Sequence, residues 1–174
     1  QVPHRLMVKS NMENIVPFDH PDIDKWRDAL RGGIKHRYKD TNLIIKGGVD
    51  DIWFNKATEE IIIVDYKSQA SFYRVNTEDY LSNVFHESYK VQMDIYAYLF
   101  ERNDFNVAEI SYFYVANCRK DLDGFNSKLV FDETLVPYRL RTHWIEPKID
   151  EMLTTLNSPD LPYFNSFCQN CACS

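Results

Sequence analysis

The chain has 174 residues, of which 44% are hydrophobic and 26% are charged. This length suits one domain with its own core, and this composition is typical of soluble globular proteins. A net charge of −6 excludes a wholly basic nucleic-acid-binding module. No apolar run reaches the ~18 residues that a membrane-spanning helix needs. We therefore expect a single domain over residues 1–174 and no membrane partner.

The first predicted elements lie before residue 40. The segment 21–31 begins with Asp and Pro, has apolar residues at helical spacing and is followed by two glycines, which predicts a short helix. The segment 31–39 is a local basic stripe. Such a stripe is typical of a surface that follows a phosphate backbone, and it is equally typical of a solvated loop.

The remaining elements follow from the hydrophobic pattern. Segments 41–54 and 59–67 are rich in β-branched and aromatic residues and predict two strands joined by a polar turn. After a polar loop we expect a buried helix, a core strand, a shorter edge strand and an amphipathic helix that begins near Pro147, over residues 86–104, 108–118, 127–133 and 142–157. This order predicts an α/β domain with a central mixed sheet flanked by helices.

The two predicted strands of the hairpin carry charges that do not suit a buried sheet. If Phe54 lies opposite Ile61, then Asp50 lies opposite Asp65, unless a bulge at the adjoining glycines shifts the register. Carboxylates paired in this way repel each other, and burial increases the cost. Asp51 points to the other face because side chains alternate along a strand, whereas Lys67 shares the face of Asp65.

A divalent cation between Asp50 and Asp65 removes this repulsion. Carboxylate oxygens are ligands that Mg²⁺ and Mn²⁺ prefer, and such a metal polarises a phosphoryl oxygen and lowers the pKa of a bound water. Lys67 is then placed to hold that water or to stabilise charge on a phosphate. The alternative is structural: an ion pair between Asp65 and Lys67 at a sheet edge, with Asp50 in a solvated turn.

The hairpin resembles the catalytic hairpin of the PD-(D/E)XK nuclease superfamily, in its RecB-like branch with the CRISPR-associated exonucleases. The resemblance rests on Gly-Gly-Val-Asp ending at Asp50 and on Asp65-Tyr66-Lys67 at the end of an apolar strand. The Gln-x-x-x-Tyr motif of that branch matches Gln92 and Tyr96 on the next predicted helix, where a spacing of four places both on one face.

The resemblance implies a restriction-endonuclease-like core and a metal-dependent phosphodiesterase that acts on DNA. Asp50, Asp65 and the backbone carbonyl of Tyr66 would bind Mg²⁺ or Mn²⁺, and Lys67 would position the attacking water. Gln92 and Tyr96 would hold the lysine or a DNA strand. Asp94 lies about 200° around the helix from Gln92 and is a poor candidate ligand.

The superfamily commonly has a further Glu or His on a helix before the first strand. Glu13, His20, Asp22 and His36 are candidates, but none lies in a convincing buried helix. We expect the sequence to be a piece of a longer protein that lacks this N-terminal helix.

Three of the four cysteines lie in the tail 160–174, at Cys168, Cys171 and Cys173. Clustered thiols suit Zn²⁺ or an iron–sulfur cluster. RecB-like nucleases often carry a 4Fe–4S cluster that uses one upstream Cys, but Cys118 ends a predicted core strand and is expected to be a buried thiol. A metal at the tail would therefore need ligands from elsewhere in the full-length protein, and the alternative is a tail of free thiols.

These observations favour an Mg²⁺- or Mn²⁺-dependent deoxyribonuclease of RecB-like type, acting in DNA repair, recombination or defence. So few and so clustered cysteines do not form a secreted disulfide framework, which favours an intracellular, cytoplasmic protein. DNA is the expected partner, with further domains or subunits of a repair or defence complex. The alternatives are an inactive nuclease-fold module that binds DNA or acts as a scaffold, and another Mg²⁺-dependent phosphohydrolase.

Overall fold

The structure, a computed structural model, describes residues 5–10, 12–122 and 127–160. It divides into two compact units, residues 1–142 and 143–174. The helices of the first unit are α1 (Arg5–Lys9), α2 (Ile23–Arg27), α3 (Thr77–Ser82) and α4 (Glu87–Glu101), with a 3₁₀ turn at Val84–His86. Its strands are β1 (Ile15–Pro17), β2 (Ile34–Arg37), β3 (Ile44–Gly47), β4 (Asp51–Asn55), β5 (Glu60–Ser71), β6 (Ile110–Arg119) and β7 (Phe131–Arg139).

A five-stranded mixed sheet in the order β1-β4-β5-β6-β7 forms the centre of the first unit. Only β5 and β6 pair in parallel, while the other neighbours in this sheet are antiparallel. The crossover between β5 and β6 contains α3 and α4, as a parallel connection requires. The expected α/β class with a mixed central sheet is confirmed.

Each face of the sheet packs on its own apolar cluster. On one face, Ile52, Ile61 and Ile63 pack with residues of α4 such as Met93 and Leu99. On the other face, Trp53, Ile62 and Val64 pack with Leu6 and Met7 of α1. This arrangement follows from the alternation of side chains along β4 and β5, both of which are apolar on their two faces.

The predicted hairpin register is confirmed. Phe54 pairs with Ile61, the turn covers residues 56–59, and the last antiparallel pair is Asp51 with Val64. Asp50 lies one residue before β4, next to Asp65 in the same register, and no bulge interrupts this ladder. The two glycines do not form a bulge, and Gly47 is the last residue of β3. Both positions require glycine for close packing: a Cβ on Gly47 would lie 2.8 Å from the ring of Tyr96, and one on Gly48 would lie 2.5 Å from Ala29 Cα.

Several predicted boundaries were wrong. The single strand expected over 41–54 is two strands in different sheets, since β3 pairs with β2 in a separate two-stranded sheet. The helix expected over 21–31 ends at Arg27, and the expected loop 70–85 contains α3. Strand β7 has nine residues, against the short edge strand expected over 127–133.

The predicted N-terminal basic stripe forms β2 and its flanks. Lys35 and Arg37 are exposed on β2, while Ile34 is buried.

The helix predicted to be buried, α4, is buried on most of its surface but not all round, since Val91 is exposed.

The second unit contains one described helix, α5 (Ile145–Leu156). It begins two residues before Pro147, which therefore occupies the first turn, where a missing N–H costs no hydrogen bond. The predicted cysteine tail at Cys168, Cys171 and Cys173 lies outside the described residues. No helix in the described part of the chain is long and apolar enough to cross a membrane.

Candidate active site

Asp50 and Asp65 lie together where β4 begins and β5 leaves the apolar core. Asp65 is 1% exposed, whereas Asp50 is exposed. The backbone N–H of Tyr66 donates to Asp50 Oδ2 at 2.8 Å, which fixes the Asp50 carboxylate beside β5. Burial raises the pKa of Asp65, Lys67 lowers it and the nearby Asp50 carboxylate raises it.

The buried Asp65 carboxylate is compensated by Lys67. Its Oδ2 forms an ion pair with Lys67 Nζ. Lys67 thus offsets the buried negative charge, and the carboxylate oxygens have further lone pairs to offer a cation.

Helix α4 positions Lys67 from the side. Lys67 Nζ donates to Gln92 Oε1 at 3.3 Å, and Gln92 Nε2 donates to the Tyr96 hydroxyl at 2.6 Å. Burial raises the pKa of Tyr96, the hydrogen bond with Gln92 lowers it, and the Asp65 and Asp50 charges raise it further. The structure therefore brings together all five side chains that the sequence singled out for the site: Asp50, Asp65, Lys67, Gln92 and Tyr96.

Tyr89 is a further residue of the site that the sequence reasoning missed. Lys67 Nζ lies 4.7 Å from the centre of the Tyr89 ring, within the range of a cation–π interaction. Tyr89 precedes Gln92 by three residues, so both lie on the face of α4 that meets Lys67. That spacing is a signal in the sequence from which Tyr89 could have been found.

Asp51 serves the opposite face of the sheet, as the alternation of side chains predicts. Its carboxylate accepts hydrogen bonds from Tyr66 Oη at 2.7 Å and Trp53 Nε1 at 3.2 Å, and it pairs with Arg27. Burial and Asp51 raise the pKa of Tyr66, so its hydroxyl stays a donor at neutral pH. Tyr66 thus holds Asp50 through its backbone and Asp51 through its side chain.

Other charged residues considered from the sequence have structural partners. Buried Asp94 accepts from Tyr138 Oη at 3.0 Å and from the backbone N–H of Arg141 at 2.9 Å. His20 stacks on Trp26 at 4.4 Å, and its Nδ1 accepts from the backbone N–H of Asp22 at 3.1 Å. The ring of His36 meets the edge of Tyr98, and Glu13 is exposed.

The prediction that Cys118 is a buried thiol was wrong. Cys118 lies one residue before the end of β6 and is half-buried. Even-numbered positions at this end of the sheet, such as Ala116 and Cys118, pair with exposed Ser68 and Ala70 of β5, so the strand end is only partly covered.

The donor set fits a hard divalent cation. Within the ranges that the structure describes, no group of three or more His, Cys, Asp and Glu side chains is arranged to hold a metal. Two adjacent carboxylates, one of them buried, are nevertheless the chemistry that Mg²⁺ and Mn²⁺ select when waters and substrate oxygens complete the shell.

Comparison with known proteins gives one match. The family model of the PD-(D/E)XK nuclease superfamily matches residues 9–174, nearly the whole chain. No curated protein and no solved structure matches the chain. Members of this superfamily are in general phosphodiesterases that act on nucleic acids with Mg²⁺ or a similar divalent metal. The mixed sheet and the acidic hairpin with its paired lysine agree with this match. The chain therefore belongs to the PD-(D/E)XK nuclease superfamily and has its restriction-endonuclease-like core.

Proposed function

We propose that this protein is an Mg²⁺- or Mn²⁺-dependent deoxyribonuclease of RecB-like type. The observation that carries the proposal is the convergence of Asp50, Asp65 and Lys67 with Gln92 at one point of the sheet. A scaffold has no use for this arrangement, because a buried ion pair beside a second carboxylate is a weak contribution to stability.

The residues divide the work by their chemistry. Asp50, Asp65 and the backbone carbonyl of Tyr66 would hold the cation, which supplies polarisation of the phosphoryl oxygen and a more acidic water. Lys67 keeps its ammonium near that point because Asp65, Gln92 and the Tyr89 ring restrain it from three sides. From there it positions the attacking water or offsets charge on the phosphate.

The RecB-like assignment is supported by the link between hairpin and helix. Gln92 and Tyr96 match the Gln-x-x-x-Tyr motif, and Gln92 contacts the lysine that the motif would serve. An intracellular role in DNA repair, recombination or defence, with further domains or subunits, is part of the same proposal. The zinc or iron–sulfur site at Cys168, Cys171 and Cys173 stays a prediction.

The test is cleavage of end-labelled single-stranded and duplex DNA in Mn²⁺ by the unchanged protein and by two site variants. We expect Asp65→Asn and Lys67→Met each to lower the cleavage rate by about a hundredfold or more. Glu109→Gln is the matched control. This exposed carboxylate lies one residue before β6 and pairs with Arg139. Its rate should equal that of the unchanged protein.

Two results would contradict the proposal. DNA binding without cleavage by the unchanged protein would assign the chain to the inactive, scaffold class. Metal-dependent release of phosphate from nucleoside triphosphates, with intact DNA strands, would assign it to another class of phosphohydrolase. Circular dichroism of each variant separates loss of activity from loss of fold.

A further inference from the structure

A pocket lies along β5, beyond Lys67 in the chain. Gln69 and Ser71 line it and alternate onto the same face of the strand as Asp65 and Lys67. Its opposite wall is formed by α3 and the 3₁₀ turn, through Tyr80 and His86. The volume of about 370 Å³ lies within the range of sites that hold small organic groups. We call it the β5 pocket.

The Tyr80 ring forms part of the wall of the β5 pocket. The residue is 5% exposed and belongs to the apolar cluster under this face of the sheet. Its hydroxyl is enclosed by protein atoms, so the ring and not the hydroxyl faces a ligand in the pocket.

His86 connects the β5 pocket to Lys67. Its Nδ1 lies 2.8 Å from the carbonyl oxygen of Tyr80, so Nδ1 carries the proton and Nε2 is the acceptor in the neutral ring. The ring is tilted against Tyr80, with centroids 4.1 Å apart, and stacks on Tyr89 at 5.2 Å. Lys67 Nζ lies over the Tyr89 ring, so ring contacts link the pocket wall to Lys67.

Exposed aromatic rings stand at the rim of the β5 pocket. Tyr73, which lines the pocket, is 82% exposed, and Phe85, between the lining residues Asn83 and His86, is 83% exposed. Phe72 is 68% exposed, with Lys120 Nζ at 5.8 Å from its ring. Large exposed rings around a concave site mark a binding surface.

The charges at the β5 pocket do not suit a string of phosphates. Arg74 is the one cationic side chain among its lining residues, 88% exposed and 3.9 Å from Asp132, and Asp79 adds a negative charge. Amide, hydroxyl and imidazole groups with aromatic rings instead suit a nucleobase, whose edge forms hydrogen bonds and whose face stacks.

We propose that the β5 pocket is a subsite for an unpaired nucleotide of the substrate strand, adjacent to the phosphodiester that is cleaved. His86 and Gln69 contact the base edge, while Tyr73 and Phe85 stack on neighbouring bases. A base inside a duplex is paired and stacked and does not reach such a pocket. The subsite therefore gives the enzyme a preference for single-stranded DNA or frayed ends. This inference rests on the proposed nuclease function.

Binding of a fluorescein-labelled single-stranded oligonucleotide, followed by anisotropy in EDTA so that no cleavage occurs, tests the rim. We expect Tyr73→Ala and Phe85→Ala each to raise the Kd about fivefold to a hundredfold, the usual effect of losing one stacking ring. A blunt duplex should bind more weakly than the single strand and should be less sensitive to both substitutions. The matched control is Val8→Ala, an exposed apolar residue of α1, which packs on the other face of the sheet.

His86→Phe tests the pocket itself. The change keeps an aromatic ring between Tyr80 and Tyr89 but removes Nε2, the acceptor that the subsite needs. The Kd for the single strand should rise about threefold to tenfold if Nε2 contacts the base. An unchanged Kd overturns its role in the subsite.

The outcomes separate the subsite from the nuclease. If the protein cleaves DNA and Asp65→Asn does not, but the Tyr73, Phe85 and His86 variants bind as tightly as the unchanged protein, the subsite is wrong and the nuclease stands. If the variants lose affinity but no cleavage is seen, the nuclease fails and the subsite stands. Absence of single-strand binding, or a change of oligomeric state on rim substitution without loss of affinity, overturns the subsite.

Discussion

The Asp65 carboxylate combines the two properties on which the candidate site depends, burial and proximity to both Asp50 and Lys67. Burial and Asp50 push its pKa up, and Lys67 only partly opposes them. In the absence of a metal this group therefore destabilises the folded state at neutral pH. Lys67 in turn depends on groups from α4, so one residue of β5 links the sheet to the helix.

The destabilisation by the Asp65 carboxylate should appear in the pH dependence of the free energy of unfolding. Because the pKa of Asp65 is higher in the folded than in the unfolded chain, the folded state binds more protons above about pH 4, and its stability falls as the pH rises. Asp65→Asn removes this dependence. In EDTA we expect the variant to gain stability relative to the unchanged protein between about pH 4 and pH 7, measured by urea unfolding. A difference that is constant with pH would contradict this, and Asp24→Asn, with a side chain 96% exposed, is the control.

At the scale of elements, close packing of α4 against the end of β3 aligns the helix with the hairpin. The Tyr96 ring lies where a Cβ on Gly47 would be, and Leu99 lies 3.1 Å from the same position. The glycine before the Asp50 strand is thus needed for close approach, and it permits the contact from Tyr96 through Gln92 to Lys67.

Gly47→Ala should therefore act on both stability and activity. Overpacking against the buried Tyr96 ring should lower the free energy of unfolding by about 1–3 kcal/mol, and displacement of α4 should slow cleavage. The stability loss is measured by urea unfolding in a double-mutant cycle with Tyr96→Leu. Because the smaller side chain makes room, the loss should shrink in that background; additive losses would show that Tyr96 is not the obstacle.

At the scale of the whole first unit, the β5–β6 crossover builds both the site and the β5 pocket. It runs from the end of β5 through α3 and the 3₁₀ turn into α4, so Tyr80, His86 and Tyr89 all come from this segment. The sheet supplies the carboxylates and the crossover supplies the groups around them, which ties ligand binding to the stability of the unit.

Metal binding should consequently stabilise the protein against heat. At a Mn²⁺ concentration 100 times its Kd, linkage adds about 2.7 kcal/mol to the free energy of unfolding, so the Tm should rise by several degrees. Asp65→Asn and Asp50→Asn should abolish most of the rise. The control Glu109→Gln should retain it, and a rise that persists in both site variants would place the cation elsewhere.

Local patterns were enough for a large part of this protein. The β-branched run at Ile61–Val64 and the polar turn fixed the hairpin and its register, because pairing across a short turn depends on neighbours in the chain. The short helix α3 was missed within a polar segment. Its cap residue Asn76, whose Oδ1 accepts from the Glu78 and Asp79 N–H groups, is a local signal for the start of this helix. The split between β3 and β4 was not readable, since only Tyr96 and Ala29 explain the two glycines.

By itself the sequence determined the acidic hairpin, the Gln-x-x-x-Tyr helix and the superfamily that they indicate, because each is a short-range pattern of residue types. The tertiary structure alone decided that Asp51 binds Arg27 and Tyr66 on the far side of the sheet, and that Tyr80 and His86 border a pocket along β5. Those contacts join residues far apart in the chain, and their geometry depends on how α3 and α4 pack on the sheet.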